Sequence, residues 1–338
     1  MSKFANAFSN IKSETSQSDS GIDWEVVNKQ RNEIFGTQDK AKPRVGIISG
    51  IIDLGVQQIE PGHSKSDVPL EEEAAYIEAN PTNWFDDVEN PQNKTIERHK
   101  FWPQKPQRAV AFTVDFPQYK FDWGGDIGVK PFRFLLNGEF IPKGKSRKDI
   151  ILGRIYDLKE TTKDFAPKWS LSKKSVPYKL ALATDTIKQD EPFTKDRLGE
   201  LIGKAALFEV RFWLNDRGYA EEKIIFKSEV PEGMEIPKID EDLLFYVNMS
   251  TENDEAVVKT LRKAVYNTIL MSESYPGSKL QEQFGHIVEG REKGDSSIRA
   301  GSPADAVLAK TSPTTKATSQ TISSATPAED FDDDDIPF

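Results

Sequence analysis

The sequence predicts a mainly β, α+β chain. It reads as a small five-stranded barrel with helical insertions, set between disordered N- and C-terminal tails. Three observations lead there. Residues 108–116 (RAVAFTVDF) and 205–213 (AALFEVRFW) alternate with the period of a half-buried strand. Residues 44–56 (RVGIISGIIDLGV) are apolar, β-branched and broken by glycines, as a strongly bent strand requires. The two ends of the chain hold too few large apolar residues to build a core.

In chain order, residues 1–21 are rich in Ser, Asn, Lys and Thr and read as a disordered arm, with Phe4, Phe8 and Ile11 spaced for one side of a short helix. Asp23 is placed to cap a helix carrying Trp24, Val27, Arg31 and Ile34, which Gly36 ends. A polar insertion after residue 56 holds a helix over 70–80 (LEEEAAYIEAN). In 108–116 one face is Val110, Phe112, Val114 and Phe116; the other is Ala109, Ala111, Thr113 and Asp115. Residues 131–136 and 150–158 suit strands or short helices. The strand over 205–213, a turn at 215–218 (NDRG) and a strand over 222–228 make a hairpin. These pieces define a body over 22–240, and hairpins with bent strands and helical insertions favour a barrel of OB type. A helical region packed on it spans 241–288. There Val257, Leu261, Val265 and Ile269 mark one helix over 254–271, and a second runs over 278–288. Residues 289–329 form a flexible linker with a root-mean-square span of ~35 Å. Residues 330–338 are an acidic tip.

The net charge of −10 is unevenly spread. Residues 101–230 hold 24 Lys and Arg against 18 Asp and Glu, whereas 231–338 hold 10 against 20. A mildly basic centre is flanked by acidic ends, so the total does not exclude a polyanionic ligand. There is no Cys, hence no disulfide and no thiolate metal site. No apolar run reaches the ~18 residues of a membrane span, and the N-terminus lacks a signal-peptide core. The expectation is a cytoplasmic protein without a membrane partner. Catalytic signals are missing. GEFIPKGKS, residues 138–146, places five residues rather than four between its glycines and cannot cradle phosphate as a Walker loop does. His63, His99 and His286 lack metal-ligand spacing, and Asp86 and Asp87 have no acid/base partner in sequence. The chain is expected to have no enzymatic activity, no metal and no cofactor.

The last nine residues, DFDDDDIPF, are the most specific stretch. Four adjacent Asp cannot fold alone, and Ile336, Pro337 and Phe338 make no core. A terminal Phe on a charged arm is suited to docking. Its ring enters an apolar pocket, its α-carboxylate meets a cation, and Asp332, Asp333, Asp334 and Asp335 lie along a basic ridge. This tip closely resembles the one that closes bacterial single-stranded DNA-binding proteins, which ends in DDDIPF. The resemblance implies recruitment of replication and repair proteins such as a polymerase, primase, helicase or nuclease. The stretches over 44–56, 108–116 and 201–231 are more weakly similar to the OB domains of phage-encoded single-stranded DNA-binding proteins. That likeness implies a host bacterial cytoplasm and roles in DNA replication, recombination and repair.

Holding a bare strand without reading its sequence takes aromatic faces for the bases and cations for the phosphates. On 205–213 the even residues are core, which leaves Arg211 and Trp213 outward. If the strand over 108–116 continues, Tyr119, Phe121 and Trp123 line one outward face. Arg133 and Lys223 add cations. Lys143, Lys145, Arg147 and Lys148 form the densest basic cluster, and Trp169 is interleaved with Lys173 and Lys174. Packing under an inserted loop is the rival reading of these aromatics. At the level of the whole chain the rivals are an OB-containing, nuclease-like enzyme and a DNA-independent adaptor that captures host replication proteins.

Overall fold

A computed structural model describes residues 24–37, 40–90, 93–122, 128–214 and 220–290. The expected N-terminal arm, the linker and the acidic tip lie outside them. Five strands form the body: β1 (Lys42–Gln57), β5 (Gln107–Asp122), β6 (Val129–Leu135), β12 (Ala205–Leu214) and β13 (Ala220–Ser228). Their order is β13-β12-β1-β5-β6, with antiparallel neighbours throughout. β14 (Phe245–Val247) runs parallel to the second half of β1, and β9 (Tyr156–Asp157) pairs with β5.

β1 is buried along nearly its whole length because both faces of the sheet are covered. One cluster packs Ile48, Ile51, Val110, Phe112, Val114, Phe116, Phe132, Phe134, Phe208 and Phe212 beneath helix α1 (Trp24–Phe35) and helix α3 (Val176–Ala183). The second packs Ile52, Leu54, Ala109, Ala111 and Leu135 against α4 (Glu255–Thr260), α5 (Lys263–Leu270) and α6 (Lys279–Gly290). The glycines of β1 serve its shape. Register shifts fall at Ile48/Gly50 and Asp53/Gly55, and a β-carbon on Gly50 would stand 2.3 Å from the ring of Phe245.

Helix α1 ends as the sequence predicts. Gly36 has φ +96°, and its N–H donates to the Asn32 carbonyl at 3.0 Å. Phe35, fully buried, stands edge-on to Phe116, Phe134 and Phe132 at ring separations of 4.9, 5.3 and 5.9 Å. The alternation in β5 also holds through Phe116. Val110, Phe112, Val114 and Phe116 enter the first cluster, while Thr113 and Asp115 turn the other way. There Ser49 Oγ donates to Asp115 at 2.8 Å and lies 3.0 Å from Thr113 Oγ1.

Two long insertions interrupt the sheet. Between β1 and β5, an arm holds β2 (Gly62–Lys65), α2 (Glu73–Ala79), β3 (Trp84–Glu89) and β4 (Ile96–Trp102), with strand order β2-β4-β3. Arg98 clamps Glu73 through two hydrogen bonds of 2.9 and 2.7 Å, tying α2 to one face of the arm. Between β6 and β12 come the hairpin β7 (Glu139–Phe140) and β8 (Ile151–Leu152), the pair β10 (Glu160–Thr161) and β11 (Ser170–Leu171), and α3.

Three expectations are corrected. The helix expected over 254–271 is two helices, because Leu261 and Arg262 are extended. Leu261 still fills the second cluster, so the apolar spacing runs unbroken across the kink. The five strands do not close into a barrel: among the described residues no ladder joins β6 to β13. Side chains span that gap instead. Arg262 donates to the Arg133 carbonyl on β6 at 2.9 Å and to Glu222 on β13 at 2.5 Å, and Arg31 of α1 also pairs with Glu222. Third, β5 does not keep its facing beyond Phe116. Phe116 pairs with Phe132, but the next pair is Lys120 with Pro131, so three extra residues of β5 reverse the side that odd positions face.

Candidate nucleic-acid interface

The β12–β13 hairpin brings three of the expected contact residues together. Phe208, Val210 and Phe212 are buried in the first cluster, so Glu209, Arg211 and Trp213 take the opposite face. Arg211 pairs across the strands with Lys223, and Trp213, half-buried, pairs with Glu221. Glu209 is nearly covered and neutralised twice, by Arg211 and by Lys227 at 3.5 Å. By register the face carries Arg211, Lys223 and Lys227 with Glu209 and Glu221, a small positive balance beside an indole.

Arg262 links the base of the basic loop between β7 and β8 to the turn end of this hairpin. The Arg262 guanidinium reaches Glu222, the residue before Lys223, and lies 3.5 Å from Glu139, at the base of the loop. Lys143, Lys145 and Lys148 are exposed on that loop, beside an exposed Phe140. Its shape is fixed from within and from behind. Ser146 donates its N–H and its hydroxyl to Asp149, each at 2.9 Å, and these bonds hold the Asp149 carboxyl below its ordinary value. Asn267 of α5 donates to the carbonyls of Lys148 and Ile150 at 3.0 and 2.6 Å. The lysines therefore project from a braced turn. The side chain of Arg147 lies outside the described residues.

Trp169, Lys173 and Lys174 belong to the insertion between β6 and β12, apart from the hairpin. Trp169 is 62% exposed and Lys174 is exposed. Lys173 is engaged: it pairs with Asp190 at 2.5 Å and sits 4.8 Å from the ring centre of Phe165. Of the three, Lys173 lines a groove of about 410 Å³, together with Asp164, Phe165, Pro167, Lys168 and Asp190.

Other expected contacts are corrected. Because β5 reverses after Phe116, Tyr119 and Phe121 turn toward the first cluster rather than outward. Tyr119 stands edge-on to Phe35 at 5.6 Å, and Phe121 lies against Phe132 at 6.0 Å. Trp123 lies outside the described residues. Arg133 is occupied by structure: it clamps the buried Asp115 at 2.7 and 2.8 Å, donates to the Leu243 carbonyl at 2.9 Å, and lies over the Phe245 ring. The partner-binding residues Asp332 to Phe338 lie outside the described residues as well.

Sequence reasoning missed the open face of the arm. There β2, β4 and β3 align His63, Phe101 and Trp84, with Phe101 stacked on Trp84 at 5.4 Å and on His63 at 5.1 Å. His63 and His99, 36 residues apart in sequence, meet Nδ1 to Nδ1 at 2.9 Å. The signal was present as period-2 spacing in WFDDVE and IERHKFW, inside a segment read as a polar insertion. Among the described residues no group of three or more His, Cys, Asp or Glu side chains is placed to hold a metal ion. No described helix is long and apolar enough to cross a membrane. Comparison with protein-family models, curated proteins and solved structures finds no match to this chain.

Proposed function

We propose that this chain is a non-catalytic single-stranded DNA-binding protein, of the kind phages encode. It coats exposed strands during replication, recombination and repair in the host cytoplasm. Its body is an OB-type barrel left one ladder short of closure. The order β13-β12-β1-β5-β6, with β6 and β13 facing each other across the Arg31–Glu222–Arg262 cluster, supports that reading, because OB barrels are five-stranded and partly open.

The observation that carries the functional reading is the adjacency at Arg262. One guanidinium ties Glu139, at the base of the Lys143–Lys145–Lys148 loop, to Glu222, which pairs with Phe212 on the inner side of the hairpin whose outer face carries Arg211, Trp213 and Lys223. Cations on the loop and on the outer face of the hairpin offer contacts to phosphates around this edge of the sheet, and Trp213 offers an indole to a base. The DFDDDDIPF tip then recruits partner proteins by the docking chemistry its sequence suggests.

Titration of the full chain with oligo-dT, followed by tryptophan quenching at low and high salt, tests the reading. Binding should weaken steeply with salt and prefer single strands to duplex. Equal affinity for duplex of the same length would overturn it.

A further inference from the structure

Residues 231–243 (PEGMEIPKIDEDL) cross the β5–β6 hairpin on their way from β13 to β14. They carry five acidic residues and one Lys. Asp240 lies 3.8 Å from Lys120 of β5, and Asp242 lies 3.8 Å from Lys130 of β6. The Leu243 carbonyl accepts from Arg133 at 2.9 Å. The segment's apolar hold is partial, with Pro237, Ile239 and Leu243 half-buried. None of residues 231–243 is buried, and Met234 and Ile236 are about half exposed. The two exposed ion pairs add a hold of the weak, screenable kind.

We infer that Lys120 and Lys130 form a second phosphate-contact site for the strand, and that the 231–243 segment occupies it while no strand is bound. The inference rests on the single-strand reading above. A carboxylate and a phosphodiester ask the same thing of a lysine, a single anionic acceptor at its ammonium. A strand brings many such acceptors and releases counterions as it docks, whereas the segment brings two loose pairs. The strand therefore displaces Asp240 and Asp242 and continues onto the β5–β6 hairpin. The strap lowers affinity for short or weakly held polyanions and yields to a long strand.

The test uses the full chain, a D240N/D242N variant, and an E71Q/E72Q control that removes the same charge from the arm. D240N/D242N should bind oligo-dT about fivefold more tightly at low salt, the gap closing as salt screens the pairs; the control should match the parent. Adding K120A/K130A should weaken D240N/D242N more than it weakens the parent. Trypsin cleavage after the exposed Lys238 supplies a readout besides affinity. It should accelerate in D240N/D242N without DNA, and in the parent when oligo-dT is added. If the strand binds but both variants match the parent, or if oligo-dT leaves cleavage after Lys238 unchanged or slower, the inference falls and the functional reading stands. If no form of the chain binds oligo-dT, both fall.

Discussion

The guanidinium of Arg262, at the start of α5, donates to the carboxylate of Glu222 on the free edge of β13 at 2.5 Å, and Arg31 of α1 meets the same carboxylate. All three side chains are largely covered. Burial works hardest against the Glu222 charge, yet Arg262 and Arg31 together hold its carboxyl below its ordinary value. A depressed carboxyl contributes stability above the pKa of the unfolded chain, near 4.5, and that contribution is lost as pH falls through the folded value. Glu222→Gln should cost about 3 kcal/mol at neutral pH, since it strands two buried cations. The deficit should shrink as pH drops below about 4.5. Thermal melts of parent and variant across pH measure it, and a deficit that does not change with pH would count against this account.

Phe35 plugs the open end of the sheet, touching rings on β5 and β6. Phe35→Ala should cost about 4 kcal/mol in urea unfolding. Phe35→Leu, which keeps most of the volume, should cost about 1 kcal/mol. Equal losses would mean that the ring geometry, not the filled space, secures α1.

Arg211→Ala and Lys223→Ala should each reduce the salt slope of strand binding by about 1, with affinity falling on every sequence alike. Trp213→Ala should lose about 1–3 kcal/mol of binding and much of the fluorescence quench. Unchanged slopes in both cation variants would move the strand off this face.

Tyr119→Ala and Phe121→Ala are expected to act on the fold. Each loses contacts with the first cluster and should destabilise by about 2 kcal/mol. Strand affinity of the folded variants should stay within about twofold of the parent, a difference of about 0.4 kcal/mol. A larger loss of affinity at full stability would return these rings to the contact surface.

Removing residues 330–338 should leave oligo-dT binding intact or tighter, since the anionic end no longer competes for cations. It should abolish capture of replication proteins in pull-downs. Capture that survives truncation would locate the docking element elsewhere.

Much of the fold was legible because local pattern and burial agreed. The periodicity of 205–213 gave β12 its buried and open faces, and Gly36 marked the end of α1. Legibility stopped where backbone irregularity intervened. Nothing in PQYKFD announces the three-residue bulge, so the facing of Tyr119 was read with the wrong parity. The kink at Leu261 leaves apolar spacing intact and is invisible to it. Of the site, Arg211 and Trp213 followed from alternation, and strand pairing sets Lys223 opposite Arg211. Arg133 could not be judged, because its claimant, Asp115, is apart in sequence and adjacent only through strand pairing. The meeting of His63 and His99 depends on long-range pairing in the same way.

β1 supplies side chains to both hydrophobic clusters, Ile48 and Ile51 to one and Ile52 and Leu54 to the other. The two halves of the interior thus share a wall, and neither can melt while the other keeps that wall in place. Heat or denaturant should therefore dismantle strands and C-terminal helices in a single concerted step. A bulky residue at Gly50, where Phe245 already crowds the backbone, would be felt on both sides at once.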